Sequence, residues 1–308
     1  MQIRLLNMSR FPMISIIMPS FNQGEYIEQS ILSILRQDYE SIEFILVDGG
    51  SKDNTSSIID RYRSNIDIVI QEPDGGQADA INKGLVAASG DIVGWLNSDD
   101  ILYPGSISLV ADLFSEIQDI GVIYGNVDSG PSEFSVDRII RGEAFSFLEA
   151  FRRLDVPMPQ QGCFWRRSAM ESSGLLDERW HFVLDRDFFI RLADKGNCLY
   201  VDLALGLFRV QPNSKSSGFA SSWIVELESL YSGYFAVNTF EHNIKPYQAE
   251  VMAATSFAGL LIALRSNLPF VALRLAILVL RRDPLFVFHP YFISRTKKLL
   301  IRLYSFVS

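Results

Sequence analysis

The chain has 308 residues, 48% apolar and 21% charged, which excludes a disordered or fibrous protein and allows one large domain or a domain with an appendage. Its two cysteines, Cys163 and Cys198, and its three dispersed histidines offer neither a disulfide framework nor a zinc site, so a reducing cytoplasmic compartment is expected. The net charge of −8 gives no reason to expect nucleic acid as a partner.

Behind Arg4 and Arg10, the apolar run 13–18 is too short for the core of a signal peptide. No uncharged apolar stretch reaches the ~18 residues that span a bilayer. The longest, 251–264, ends at Arg265.

Residues 14–18, Ile-Ser-Ile-Ile-Met, read as a first buried strand that stops at Pro19, Ser20, Phe21 and Asn22. Apolar spacing through Tyr26, Ile27, Ile31, Ile34 and Leu35 predicts a helix over 25–36. A second strand, 42–47, breaks at Asp48-Gly49-Gly50-Ser51, and Asp53 or Asn54 can cap a helix over 55–62. A third strand, 66–70, leads into the turn Glu72-Pro73-Asp74-Gly75-Gly76 and a helix over 77–88. Residues 92–96 form a central strand that ends abruptly at Asn97, Ser98, Asp99 and Asp100.

Strands and amphipathic helices alternating at this spacing imply an α/β fold with a mostly parallel sheet and right-handed crossovers. The loops rich in Asp, Asn, Ser and Gly all follow carboxyl ends of strands, which is where open α/β sheets bind ligands. Two adjacent carboxylates at the end of a buried strand repel unless a cation offsets them. Hard oxygen ligands of this kind suit Mg²⁺ or Mn²⁺ held together with substrate phosphates. An acidic turn whose aspartate caps the next helix is the plainer alternative.

The second half is less regular. Strands are expected at 122–124, 160–165 and 201–210, and helices at 141–153 and 185–195. From 220 onward the pattern is helical, with breaks near 242–246, 267–269 and 283–284.

Six segments in this order resemble the family 2 glycosyltransferases of the GT-A fold, over about residues 13–215. They are 16–22 (Ile-Ile-Met-Pro-Ser-Phe-Asn), 47–55 (Val-Asp-Gly-Gly-Ser-Lys-Asp-Asn-Thr) and 79–84 (Asp-Ala-Ile-Asn-Lys-Gly). The others are 97–100 (Asn-Ser-Asp-Asp), 161–167 (Gln-Gly-Cys-Phe-Trp-Arg-Arg) and 184–192 (Leu-Asp-Arg-Asp-Phe-Phe-Ile-Arg-Leu). The resemblance implies a catalytic domain over 13–218, a nucleotide-diphospho-sugar transferase fold flanked by helices, and a helical extension over 219–308.

It further implies that Pro19, Ser20, Phe21 and Asn22 border the nucleoside of a UDP- or dTDP-linked sugar, with Asp48 accepting a hydrogen bond from the base. Asp74 and Gly76 would lie near the nucleotide, and Lys83 could meet a phosphate or sit on a solvated face. Asn97 stands where the family's first metal-motif aspartate is usual, so with Ser98 it would contact the donor by hydrogen bonds. The charge then falls to Asp99 and Asp100, with Asp100 the nearer Mg²⁺ or Mn²⁺ ligand. Asp185 holds the family's base position. Asp187, paired at i+4 with Arg191, would support it. Direct in-line displacement by the acceptor hydroxyl inverts the anomeric centre.

Two family features are missing: the histidine of Arg-x-His, where this chain has Arg209-Val210-Gln211, and the Gln-x-x-Arg-Trp of processive synthases. One sugar added to a saccharide or lipid-linked acceptor per encounter is therefore expected, in cell-surface polysaccharide or glycan synthesis. A silent nucleotide-sugar binding protein is opposed by retention of Asp99, Asp100 and Asp185. A nucleotidyltransferase is opposed by the lack of a glycine-rich, basic loop after the first strand.

The charge is split unevenly. Residues 265–308 carry eight Lys or Arg against Asp283, or +7, which leaves −15 on the preceding residues. Arg295, Lys298 and Arg302 fall on one helical face, opposite Leu299, Leu300, Leu303, Phe306 and Val307. Such a segment, within 284–308, would either lie on a membrane surface or pack on protein, a second copy in a homodimer included.

Overall fold

The computed structural model describes residues 11–154, 156–211, 220–237, 240–289, 292–293 and 296–297. They form two contact units. The first runs through Phe145 and resumes at Pro157–Gln211; the second joins Ser146–Val156 to the residues after Gln211.

The first unit is built on β1 (Ile14–Ser20), buried along its whole length. An unbroken apolar run of this kind forms a strand covered on both faces. β1 pairs in parallel with β2 (Ile42–Asp48) on one side and β4 (Ile92–Trp95) on the other, and β3 (Ile68–Gln71) extends the sheet beyond β2. The register sets Ser20 beside Asp48 and Asp48 beside Gln71. Chain breaks after strands that are distant in sequence therefore share one sheet edge. α1 (Ile27–Leu35), α2 (Thr55–Tyr62) and α3 (Gln77–Ala87) are the connecting helices, with Ile27, Ile31, Ile34, Ile58 and Ile59 inside the core.

Beyond β4 the sheet becomes mixed. β5 (Ile101–Leu102), β6 (Ile120–Gly130), β7 (Arg138–Ile140), β8 (Cys163–Arg166) and β9 (Asn197–Arg209) complete nine strands in the order β3-β2-β1-β4-β8-β6-β9-β5, with β7 on β6. β8 is antiparallel to both β4 and β6, whereas β6 and β9 run parallel. β6 runs well beyond the three-residue strand expected at 122–124 and stays buried along most of its length, and β9 begins four residues before the segment expected at 201–210.

Two expectations change, and one helix appears that the sequence reading did not include. The helix expected over 141–153 is confined to α5 (Phe147–Arg153). Gly142 instead donates its N–H to Asn126 Oδ1, in a place where a Cβ would stand 2.7 Å from the Tyr200 ring. The strand expected from 160 begins only at Cys163, because Gln160–Gly162 is a tight turn. Helix α4 (Ser106–Glu116), with Ile107, Val110, Ala111 and Phe114 buried, follows the left-handed Gly105 at φ 80° and has no side-chain cap to announce it.

After β8 come α6 (Arg167–Ser173) and α7 (Leu184–Lys195). The second unit contains α5, α8 (Ala220–Val237), α9 (Gln248–Arg265) and α10 (Pro269–Arg282). Its helices break at Asn267, at φ 55°, and at Asp283 before Pro284. α9 is long and apolar enough to cross a membrane by composition, yet Val251, Ala253, Ala254 and Phe257 are buried within the protein. Its Glu250 pairs with Arg152 at 2.9 Å and His289 at 2.8 Å, as suits a core helix of this unit. The basic tail from Arg295 to Val307, apart from two residues, lies outside the described residues.

Candidate functional site

The loops that end β1 and β2 are interlocked. Asp48 Oδ1 accepts the Ser51 hydroxyl at 2.5 Å and the Ser51 N–H at 3.3 Å, and Oδ2 accepts the Ser56 hydroxyl at 3.4 Å. Ser51 Oγ in turn accepts the Asn22 N–H at 2.8 Å, and Asn22 Oδ1 accepts the Lys52 N–H at 2.8 Å. Asn22 sits in the left-handed region at φ 52°, which asparagine tolerates better than most residues. Pro19 lies in the β1 ladder, Ser20 is buried with its carbonyl on the Gly49 N–H, and Phe21 is exposed.

The turn after β3 closes over the same place. A Cβ on Gly49 would lie 2.2 Å from the Asp74 carboxylate, so any larger residue there would displace that side chain. Asp74 Oδ1 accepts the N–H of Gly76, which enters α3 at φ 127°. Lys83 extends back along α3 to Glu72 at 2.9 Å and Asp79 at 3.4 Å, so its ammonium is held by one carboxylate of this turn and one of the first turn of α3.

Beyond β4 the acidic loop is wrapped in amides. Asn97 Oδ1 accepts Gln77 Nε2 at 3.0 Å, while its Nδ2 donates to Asp100 Oδ2 at 3.1 Å and Gln160 Oε1 at 3.0 Å. Asp100, 1% exposed, also accepts Gln161 Nε2 at 2.9 Å and the Arg209 N–H at 2.9 Å. Ser98 is buried beside it. Asp99 is only partly buried and accepts Gln211 Nε2 at 2.5 Å. The more open carboxylate of the pair is thus Asp99, whereas both Asp100 oxygens already accept protein donors.

Burial, and then the neighbouring Asp99 charge, pushes the Asp100 carboxyl up to about 7, and burial raises Asp99 as well. The loop therefore holds negative charge that the protein's own groups leave poorly offset. The Arg209 charge lowers the Asp99 pKa in part, but its guanidinium makes no ion pair with either carboxylate. Its guanidinium donates to the Asp99 carbonyl at 2.8 Å, the Pro131 carbonyl at 3.1 Å and Gln29 Oε1 at 2.7 Å, and lies over the Tyr26 ring. Gln77 and Gln160 escape the sequence reading because isolated amides carry no spacing signal, whereas Arg209 is visible there only as the start of Arg209-Val210-Gln211.

Asp185 opens α7, with Oδ1 on the Arg186 N–H at 2.7 Å, and burial raises its pKa. The next turns bind α7 to the sheet. Phe189 stacks on Trp95 at 5.8 Å and 17°, and Phe188 meets Trp165 edge-on at 5.2 Å. Because Trp95 is two residues before Asn97, this aromatic cluster ties the base candidate to the strand that carries the acidic loop. Asp187 pairs with Arg191 at 2.7 Å, and that guanidinium also holds the carbonyls of Ser173, Gly174 and Leu175.

Asn82 on α3 fastens the same segment, donating to the Leu176 carbonyl and accepting the Leu176 N–H, each at 2.9 Å. Asn82→Ala would strand both buried backbone groups, and thermal denaturation should report a loss of about 1–3 kcal/mol.

Residues 15–174 match the family described as Glycosyl transferase family 2. Glycosyltransferase RP339 of Rickettsia prowazekii is 36% identical over 245 residues, covering 76% of this chain and 74% of that protein. Glycosyltransferase GlyG of Streptococcus pneumoniae is 35% identical over 119 residues, 37% of this chain, and the match spans only 38% of GlyG. Among solved structures, S. aureus TarS 1-349 in complex with UDP-GlcNAc aligns at TM-score 0.64 and 18% identity, over 79% of this chain and 71% of that one. The mannosyltransferase PcManGT of Pyrobaculum calidifontis, in complex with GDP-Man and Mn²⁺, aligns at TM-score 0.58 and 17% identity, over 95% and 88%. At such identities the two structures speak for the fold, a GT-A sheet of mixed strands flanked by helices.

Proposed function

The chain belongs to glycosyl transferase family 2, and from that premise we propose an inverting, non-processive transfer of a sugar from a UDP- or dTDP-linked donor to an acceptor hydroxyl. The acceptor is a saccharide or a lipid-linked glycan on the cytoplasmic side of a membrane. One observation carries the reading: three loops from β1, β2 and β4 end at one sheet edge, two interlocked around Asp48 and the third presenting Asp99 as the less buried of its two carboxylates.

In this reading Asp48, Ser51 and Asn22 form the rigid floor for the base and ribose, with the exposed Phe21 ring at its margin. Asn97 and Asp74 offer hydrogen bonds to the donor. The acceptor oxygen bonds to the anomeric carbon as that carbon's bond to the diphosphate oxygen breaks. Asp185 takes the acceptor's proton, and the nucleoside diphosphate leaves with the bonding pair.

A divalent ion fits the acidic loop, because the Asp99–Asp100 pair supplies hard oxygens and poorly offset charge. Asp99 would hold it directly and Asp100 would support Asp99 through the loop. When bound, Mg²⁺ or Mn²⁺ neutralises charge on the leaving diphosphate. Among the described residues no cluster of three or more His, Cys, Asp or Glu forms a complete protein cage, so the ion would be shared with the donor's phosphates.

Thermal shift with UDP, dTDP, GDP and ADP, with and without Mn²⁺, tests the proposal. A pyrimidine diphosphate with Mn²⁺ should stabilise the protein by about 2.7 kcal/mol at a hundred times its dissociation constant. Equal shifts from all four nucleotides would remove the base assignment, and no shift from any would remove the donor reading.

A further inference from the structure

The second unit carries an apolar surface for which the transferase reading has no use. α10 buries Ala272, Leu275 and Val279 against the rest of its unit, with Ala263 of α9 in the same small core. The opposite arc of the helix is Phe270, Leu273, Ile277 and Leu280, at the i, i+3, i+7, i+10 spacing of a single stripe. All four are exposed, Phe270 by 87% and Leu273 by 63%. Arg274 and Arg281 lie two turns apart along a single border of that stripe, and with Phe270, Leu273 and Ile277 they line a shallow open groove.

The charges on this helix divide by task. Arg282 points inward, to Glu228, the Met252 carbonyl at 3.0 Å and Ser256 Oγ at 2.7 Å. Arg274 and Arg281 make no ion pair or hydrogen bond with the described residues, and α10 contains no acidic residue. Leu285 and Phe288, past the end of the helix, are exposed as well. The +7 carried by residues 265–308 stands against −15 on the rest of the chain, so only this end of the sequence suits an anionic surface.

We propose that the exposed stripe of α10 docks the protein on an anionic lipid bilayer, with Phe270, Leu273, Ile277 and Leu280 set in the headgroup layer and Arg274 and Arg281 on lipid phosphates. The helix lies in the plane of the interface and does not cross it. A second copy is the weaker occupant, because α10 supplies no carboxylate to meet the two arginines across a self-contact. The docking is independent of the donor and the base, so it stands or falls apart from the transferase proposal.

Flotation of the full chain with vesicles of phosphatidylcholine alone, or of phosphatidylcholine with phosphatidylglycerol, provides the test. The protein should float with the anionic vesicles and be released by high salt. Leu273→Glu/Ile277→Glu should cut binding at least tenfold, and Arg274→Gln/Arg281→Gln by about 25-fold at low salt, near fivefold per charge. Both pairs are on the surface, so unchanged melting temperatures are expected. A third variant, Arg295→Gln/Lys297→Gln/Lys298→Gln/Arg302→Gln, separates the helix from the tail. If it alone abolishes flotation while both α10 variants float normally, the proposal is overturned. A dimer seen by light scattering that Leu273→Glu/Ile277→Glu splits, with no flotation of the wild type, overturns it in favour of self-association.

Discussion

Asp185→Asn is expected to lower transfer by about 10²–10⁴-fold while leaving donor binding intact. The substitution keeps the shape and the ability to accept the Arg186 N–H, and removes only the capacity to take a proton. The pH profile separates this from a folding defect. Burial raises the Asp185 pKa, so the basic form is lost as pH falls through a value above the ordinary carboxylate range. The wild-type rate should climb with pH up to that raised value and then level, whereas the residual rate of the variant should lack this limb. Stability moves the other way. A carboxyl whose pKa is raised by folding stabilises the fold most when protonated, and that contribution is lost as pH rises from the unfolded to the folded pKa. At pH 8 the neutral asparagine should therefore melt no lower than the wild type. Asp187→Asn offers the contrast, because it frees Arg191, which pins Ser173, Gly174 and Leu175, and should cost stability more than turnover. Normal turnover by Asp185→Asn would refute the base assignment.

The first half of the fold is legible because its elements are local and regular. The apolar runs at 14–18, 42–47 and 92–96 need no partner to be recognised, and the loop chemistry after them is concentrated in Asp, Asn and Gly. What is not legible depends on pairing between distant segments. Gly142 looks like a residue within a helix until Asn126 and Tyr200 are beside it. β8 lies antiparallel between β4 and β6, with Trp165 opposite Val93 and Val122 and Phe164 opposite Gly94 and Ile123, a tertiary fact with no sequence period. The site divides likewise: the carboxylates could be read from strand ends, but not which of Asp99 and Asp100 faces outward. That depends on the Arg209 N–H and the Gln161 amide, contributed from more than sixty residues away.

The distinction predicts different fates for the two aspartates. Asp99→Ala removes the more open carboxylate and touches only Gln211, so the protein should fold normally and lose the Mn²⁺-dependent part of its thermal shift with nucleotide. Asp100→Ala instead strands the Arg209 N–H and the Gln161 and Asn97 amides, and should cost about 1–3 kcal/mol before any ligand is added. The wild-type response to cation should also depend on pH. Asp100 is raised to about 7 and Asp99 in the same direction, so a cation must displace protons at pH 6 that have largely gone by pH 8. The Mn²⁺-dependent shift should therefore grow across that interval, because the pair must be ionised to hold the ion. In Asp99→Ala burial still raises Asp100, but the more open carboxylate is gone, so what remains of the response should be small over the same range. A full cation response in Asp99→Ala, with none in Asp100→Ala, would return the direct ligand to Asp100 and require the Asn97, Gln161 and Arg209 contacts to open when the ion binds.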